Sequence, residues 1–238
     1  VAETSQPDYL DPALAYTVNA WEPLSASYSG LIGYKRAEGQ EGSELIPVLA
    51  QEMPKVSSDG TTYELTLREG LKYSDGTPVK ASDFERAIQR VLNLESGGSA
   101  FFLGIKGAED YVKKGKAEAD IPGIETDDAS GKITITLNEA DGTFSNVLAM
   151  PFAAFVPGNT PFKNLTKDPP PGVGQYKITQ SVPNRQFVLE KNANFPSDIP
   201  DDPPAKIDKI TTLIIKNPQR QAQDVISGKL DYMQDPPP

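Results

Sequence analysis

The sequence predicts an α/β fold with mixed sheets, because short alternating runs that favour strands are interleaved with amphipathic runs that favour helices. Apolar and polar residues alternate in segments 63–67 and 133–137, which is typical of strands with one buried face. Segment 82–94 instead carries one apolar stripe at helical spacing, formed by Phe84, Ile88, Val91 and Leu92. A chain of 238 residues is long enough to bury a substantial core around such elements.

The stretch from residue 59 to residue 94 is predicted to form a turn, a strand, a second turn and a helix. Asp59-Gly60 and Asp75-Gly76 are pairs that favour tight turns. Ser82 stands where an N-cap is expected, and Glu85 three residues later completes the pattern of a capping box. The face opposite the apolar stripe is predicted to be exposed and consists of Glu85, Arg86, Gln89 and Arg90.

Similar patterns extend the prediction to the rest of the chain. Further strands are predicted at 30–35, 121–125, 177–180, 186–191 and 207–215. Further helices are predicted at 22–31, 105–116 and 144–150. Asn217-Pro218 is a helix-start signal, and the helix that follows is predicted to end at Gly228. Its buried face is predicted to be Ala222, Val225 and Ile226.

The order of these features resembles one known family. The run LREGLKYSDGTPV at 67–79, followed by a small residue, Ser-Asp and an amphipathic helix, is similar to a signature of the extracellular solute-binding proteins of family 5. These are the peptide, nickel and related binding proteins of ABC importers. Further resemblances are Leu10-Asp11-Pro12, segments 46–50 and 105–116, a strand at 229–232, and 172–176, where Val173 and Gln175 replace the usual Thr and Pro.

The resemblance implies a particular domain organisation. Family members are bilobed, so this chain is expected to form the first lobe of a periplasmic-binding-protein-like fold of type II. The core of that lobe is expected at residues 1–29 and 159–238, with an inserted subdomain at 30–158. The second lobe is expected to lie outside this chain, reached through a crossover at 234–238. An export signal, and possible lipidation on a Cys, are expected upstream of Val1.

The resemblance also indicates where a ligand would bind. In the family, the segment equivalent to 13–21 is a loop that faces the ligand, and here it offers the flat apolar surfaces and hydrogen-bonding groups that small-molecule sites use. The residues expected to contact ligand are Tyr16, Thr17, Asn19, Trp21, Phe101, Phe102 and Gln234. Two interpretations of Tyr16 and Trp21 stay open, ligand contacts and core aromatic residues. A second interpretation also stays open for the adjacent Phe101 and Phe102, in which one ring is buried and the other is partly exposed.

Composition excludes several classes of function. The net charge of −10 argues against nucleic acid or an anionic membrane as partner, because both require clustered positive charge. Cysteine and histidine are both missing, which removes thiolate chemistry, thiolate metal sites and histidine general bases. No apolar run in the sequence approaches the ~20 residues of a membrane-spanning helix.

Taken with the resemblance, these observations predict an extracytoplasmic binding protein without a cofactor or a chemical step. Its expected ligand is a peptide or a similar small solute, and its expected partner is the membrane permease of an ABC importer. Nickel is disfavoured because the chain has no histidine to coordinate it. Two alternatives stay open: an interaction module without a small ligand, and a hydrolase that uses two of the 33 acidic residues, whose separation the sequence cannot give.

Overall fold

The computed structural model describes residues 1–115, 119–234 and 236 of the chain. Within these residues the strands are β1 (Ala2–Glu3), β2 (Ile32–Tyr34), β3 (Leu45–Pro47), β4 (Lys55–Val56), β5 (Thr62–Thr66), β6 (Ile124–Asp127), β7 (Lys132–Thr136), β8 (Tyr176–Val182), β9 (Gln186–Lys191) and β10 (Lys209–Ile214). The α-helices are α1 (Val18–Ser27), α2 (Ser82–Asn93), α3 (Ala108–Lys114), α4 (Phe144–Leu148) and α5 (Pro218–Ile226). None of the described helices is long and apolar enough to cross a membrane.

The strands form three sheets that separate along the chain. The first sheet has the order β1-β10-β9-β8, in which β1 pairs with β10 in parallel and the other pairs are antiparallel. A two-stranded sheet joins β2 to β3, and a third, antiparallel sheet has the order β4-β5-β7-β6. All strands of the first sheet therefore come from residues 2–3 and 176–214, and all strands of the other two from 32–136.

The main core lies between the third sheet and α2, as the alternating and helical patterns predict. Tyr63 and Leu65 of β5 and Ile133 and Ile135 of β7 are buried, and they share one hydrophobic cluster with the apolar stripe of α2. The same cluster takes in Val173 and other residues from outside the range 30–158. The part of the chain predicted as an insertion is thus packed continuously against the rest.

The start of α2 differs from the prediction. Ser82 is the first helical residue, and its side chain does not cap the helix; its backbone N–H and its hydroxyl donate to the carboxylate of Asp128 instead. Glu85 accepts a hydrogen bond from the backbone N–H of Ile121. The predicted capping box is therefore wrong, because both polar side chains bind segments that are distant in sequence.

The predicted exposed face of α2 is also wrong in part. Arg90 is completely buried and Gln89 is nearly so. The side chain of Gln89 donates to the carbonyl of Ala119, and the guanidinium of Arg90 binds several acceptors described below. The helix is buried beyond its apolar stripe because β6, α3 and the 3₁₀ turn Pro151–Ala153 all pack against it.

Other boundaries shift where packing overrides the local signal. The helix predicted at 22–31 is α1, which begins at Val18 and ends at Ser27, so Asn19 and Trp21 are helical and only 13–17 is loop. α5 starts at Asn217-Pro218 as predicted, with the Asn217 side chain capping it, but Ile226 of the predicted buried face is 86% exposed and Gln221 is buried. No strand forms at 229–232; Met233 bridges to Ala2 instead. Lys116 of the predicted helix 105–116 and residues 235, 237 and 238 of the predicted crossover lie outside the described residues.

Candidate functional site

Four aromatic rings from three separate segments meet at the surface beside the start of α1. The ring centroid of Phe152 lies 6.0 Å from that of Tyr16, 5.8 Å from that of Trp21 and 6.3 Å from that of Phe101. Tyr16 and Trp21 also contact each other edge to face at 6.4 Å. These distances and angles are those of favourable aromatic pairs. We call Tyr16, Trp21, Phe101 and Phe152 the aromatic platform.

The platform has a buried base and an exposed top. Phe152 is 1% exposed, whereas Tyr16 is 55% and Phe101 36% exposed. Trp21 is half-buried, and its indole N–H donates to the carbonyl of Ala15 at 2.9 Å. The neighbouring Val18 is 76% exposed. Trp21 packs against two core clusters, as its interpretation as a core residue expects, and it also lines an open groove described below. A ligand contact by Trp21 stays a prediction.

The other residues predicted to contact ligand are placed differently. The hydroxyl of Thr17 donates to Asp8, and the side-chain amide of Asn19 donates to the backbone carbonyl and hydroxyl of Ser5. Both residues are therefore tied to the N-terminal segment. The amide of Gln234 donates to Glu22 of α1 at 2.9 Å, which brings the end of the described chain next to the helix that carries Trp21.

Phe102 is the predicted site residue that the structure removes from the surface. Its side chain is fully buried in the main core, so in this structure it has no face to offer a ligand. Phe101, its neighbour, reaches the platform because the two residues lie at the end of a 3₁₀ turn, Ser99–Phe101, and point in different directions. The structure thus brings together Tyr16, Trp21 and Phe101, and separates Phe102 from them.

We call residues 13–17, which lead into α1 and carry Tyr16, the platform loop. Next to its first residue, a buried ion pair joins Asp11 of the Leu-Asp-Pro motif to Arg90 of α2. The pair is bidentate, with Nη1–Oδ1 and Nη2–Oδ2 distances of 2.9 and 2.8 Å, and both side chains are completely buried. The Asp11 carboxylate also accepts the backbone N–H groups of Ala13 and Leu165. Arg90 further donates to the carbonyls of Pro161 and Lys163. These bonds satisfy the buried charges and fix three segments to one another.

A groove of about 690 Å³ adjoins the platform. The residues that line it include Val18, Trp21, Tyr34 and Met150. Tyr28 also lines the groove, but its hydroxyl is buried and donates to the carbonyl of Pro170, and this burial raises the pKa of the hydroxyl well above its ordinary value. The platform therefore continues into a concave surface of the size used for small-molecule binding.

Two carboxyl groups near the start of α2 have raised pKa values. Burial is the largest cause for both Asp83 and Glu85. The Asp83 carboxylate accepts the hydroxyl of Tyr73 at 2.8 Å and the backbone N–H of Lys80 at 2.9 Å. These two hydrogen bonds hold the segment 73–80 against α2. Across the described residues, no group of three or more acidic side chains is arranged to hold a metal ion.

Sequence reasoning missed Phe152, which is central to the platform, and the partners of Asp11. Phe152 follows a proline in a segment without periodicity, so its place beneath Tyr16 had no local signal. Arg90 lies 79 residues from Asp11 and beside polar residues on the helix, where a charged side chain is normally solvated. The occurrence of Asp11 in a motif that resembles the family was the one feature that could have drawn attention to it.

Comparison with known proteins identifies the family. Residues 44–238 match the sequence model described as "Bacterial extracellular solute-binding proteins, family 5 Middle". The dipeptide-binding protein DppE of Bacillus subtilis is 30% identical over 97% of this chain, and the oligopeptide-binding protein OppA of the same organism is 28% identical over 96%. In both cases the chain spans 41% of the relative's length.

Solved structures agree with this assignment at the level of the fold. The chain superimposes on clavulanic acid biosynthesis oligopeptide binding protein 2 with a TM-score of 0.84 and 25% identity, covering 97% of this chain and 42% of that one. For the unliganded open form of the periplasmic murein tripeptide binding protein MppA, the TM-score is 0.79, the identity 24% and the coverage 100% and 45%. The chain therefore belongs to family 5 of the bacterial extracellular solute-binding proteins.

Proposed function

We propose that this chain provides the first lobe of an extracytoplasmic solute-binding component of an ABC importer, and that its ligand is a peptide. Family membership supports the general role, and the relatives named above carry names that refer to dipeptides, oligopeptides and a murein tripeptide. The aromatic platform carries the peptide assignment for this chain. It offers exposed ring faces over a buried base, beside a groove large enough for several amino-acid residues.

We also propose the domain division and the mode of action. Residues 1–29 and 159–238 form the core of the lobe and 30–158 an inserted subdomain, which the separation of the sheets supports. Ligand is enclosed when a second lobe closes over the platform, and the permease recognises the closed form. This lobe alone supplies one side of the site and cannot exclude water, so most of the affinity depends on closure.

Within this scheme, Tyr16, Trp21 and Phe101 contact the ligand directly. Stacking and burial of apolar side chains on the rings favour peptides that contain aromatic or large aliphatic residues. Thr17 and Asn19 keep the loop in place, and Gln234 links the end of the described chain to α1 through Glu22.

The test is calorimetric titration of the full-length gene product with a panel of di- to hexapeptides containing either Ala alone or Ala and Phe. We expect Phe-containing peptides to bind more tightly, and Tyr16→Ala to weaken their binding about tenfold because an aromatic contact is lost. The control is Val56→Ala, which truncates an exposed apolar residue on the edge strand β4. Equal affinities for Tyr16→Ala and the unmodified protein would contradict the assignment of the platform.

The same titration, together with a turnover assay on glycosides and peptides, separates the two alternative classes. An interaction module without a small ligand would bind no peptide of the panel, with or without the second lobe. A carboxylate-dependent hydrolase would turn over a glycoside or peptide substrate, and that turnover would be lost when a pair of carboxylates is changed to amides. Binding without turnover supports the proposal.

A further inference from the structure

The carboxylate of Asp8 closes the loop that carries Tyr16. One of its oxygens accepts the backbone N–H of Tyr16 at 2.9 Å, and the other accepts the hydroxyl of Thr17 at 2.9 Å. The second oxygen also accepts the N–H of Tyr9 at 2.8 Å. Hydrogen bonds to a charged acceptor are stronger than neutral ones. Asp8 therefore fixes the backbone from which the Tyr16 ring projects.

Gly97 supports the ring itself. A Cβ atom at this position would lie 2.8 Å from Cδ2 and 3.2 Å from Cε2 of Tyr16, which is closer than ordinary van der Waals contact. Gly97 is not among the glycines with positive φ, so its backbone conformation does not demand glycine. Glycine is needed at this position because the Tyr16 ring leaves no room for a Cβ atom. At the next residue, Gly98 meets the ring of Phe152 in the same way, with a Cβ distance of 2.7 Å.

These two contacts explain how an exposed ring can keep one position. Tyr16 is 55% exposed, so burial alone does not select its rotamer. Asp8 holds its backbone and Gly97 lies against its ring, while more than half of the side chain remains available. A side chain that is ordered before binding loses less conformational entropy when a ligand arrives.

We infer that Asp8 and Gly97 are positioning residues that pre-order Tyr16 for its ligand. The inference rests on the proposed peptide-binding function. Neither residue needs to touch the peptide; Asp8 acts through the backbone of the loop and Gly97 through the room it leaves for the ring. Loss of either contact is expected to weaken peptide binding about three- to tenfold, which corresponds to the cost of ordering one side chain.

The experiment uses Asp8→Ala, Asp8→Asn and Gly97→Ala. Matched controls are Asp110→Ala, at an exposed carboxylate on α3, and Gly104→Ala, at a glycine without positive φ whose added Cβ would meet nothing within 4 Å. The first readout is the fluorescence of Trp21, which is the single tryptophan of this chain and lies 6.4 Å from the Tyr16 ring. Its emission maximum and its quenching by acrylamide are measured on the 238-residue chain, together with denaturant unfolding.

We expect Asp8→Ala and Gly97→Ala to make Trp21 more accessible to acrylamide, with Asp8→Asn intermediate and both controls unchanged. The second readout is affinity of the full-length gene product for the tightest-binding peptide of the panel, which should fall about three- to tenfold without a matching change in unfolding midpoint. Unchanged Trp21 fluorescence in both Asp8→Ala and Gly97→Ala would overturn the inference, as would an affinity loss that follows stability. If the unmodified protein binds no peptide, the proposed function fails, and Trp21 fluorescence still decides whether the two residues order the platform.

Discussion

Helices α2 and α5 were both recognised by the same sequence rules, yet they are buried to very different extents. In α2 the apolar stripe is buried, and so are Gln89 and Arg90 on the face predicted to be exposed. In α5 the predicted apolar face ends in Ile226, which is 86% exposed, while the polar Gln221 is completely buried. The period of apolar residues thus predicts that a helix forms, but the number of its neighbours decides which side chains are buried.

The physical difference lies in what surrounds each helix. β6, α3 and the turn at Pro151–Ala153 pack around α2, so polar residues next to its stripe are enclosed and must find partners. Arg90 donates to the carboxylate of Asp11, and this pair connects α2 to the start of the platform loop. In α5, the side-chain amide N–H of the buried Gln221 donates to the carbonyl of Ile215, just after β10, where the chain turns into the helix.

The largest expected effect comes from removing Arg90. Arg90→Met leaves the carboxylate of Asp11 buried without its cationic partner, which costs about 3–5 kcal/mol of the free energy of unfolding. Denaturant unfolding followed by circular dichroism measures this loss. The platform loop should loosen at the same time, because Ala13 is held by the same carboxylate.

The control for that prediction is Lys113→Met in α3, which breaks the exposed pair between Lys113 and Glu109. Exposed pairs of this i,i+4 type contribute little because water and salt screen them, so this variant should remain close to the unmodified chain. A loss below about 1 kcal/mol for Arg90→Met would mean that the Asp11 carboxylate finds water or a proton, contrary to its complete burial.

A smaller effect is expected from pH at the start of α2. Burial raises the pKa of Asp83 in the folded chain, so the carboxyl group binds protons more tightly when folded than when unfolded. Its contribution to stability is therefore fully present below the unfolded value of about 3.9 and is lost as pH rises through the raised folded pKa. Relative to Asp83→Asn, the unmodified chain should lose stability over that window, measured by unfolding at a series of pH values.

Asp59 provides a control of opposite sign. Hydrogen bonds, the first of them from Ser57, lower the pKa of Asp59, so its contribution is present above its unfolded pKa and is lost as pH falls through the folded value. Relative to Asp59→Asn, the unmodified chain should therefore lose stability toward acid. The same slope for both comparisons would contradict the burial assigned to Asp83.

The smallest change in the free energy of unfolding is expected for Ile226→Ala. The matching substitution in α2, Ile88→Ala, provides the comparison. Ile88 is fully buried, so Ile88→Ala should cost about 2–5 kcal/mol through lost burial and a cavity. Ile226→Ala should change the free energy of unfolding by no more than about 0.5 kcal/mol, because the side chain is exposed. Denaturant unfolding of both variants tests the contrast. A loss above 1 kcal/mol at Ile226 would show that another part of the molecule covers it.

Local sequence signals predicted most of the elements of the fold. The alternating runs at 63–67 and 133–137 pair in the third sheet, with Tyr63 opposite Ile135, and the stripe of α2 packs against the same core. Asn217 caps α5 by accepting the N–H of Arg220. The alternation within each run, the stripe of α2 and the cap of α5 each depend on residues that are adjacent in sequence or one helical turn apart, so they are visible in the sequence itself. Which strands pair is decided by the tertiary structure.

The candidate site was predictable only in part. Tyr16, Trp21 and Phe101 were identified through resemblance to the family, and the structure brings their rings together. Phe102 was predicted with them and is buried instead. The alternative that one of these two adjacent rings is buried and the other partly exposed describes the structure, but nothing in the sequence says which of them meets Phe152.

The sequence by itself determined the family, the class of fold and most helices and strands, because these follow from local patterns and from ordered motifs. Only the tertiary structure decided that Asp11 pairs with Arg90, that Ser82 and Glu85 bind distant segments rather than cap α2, and that Phe152 supports the platform. The reason is physical. A buried polar or aromatic side chain is placed by whichever partner the folded chain brings within reach, and that partner lies far away in sequence.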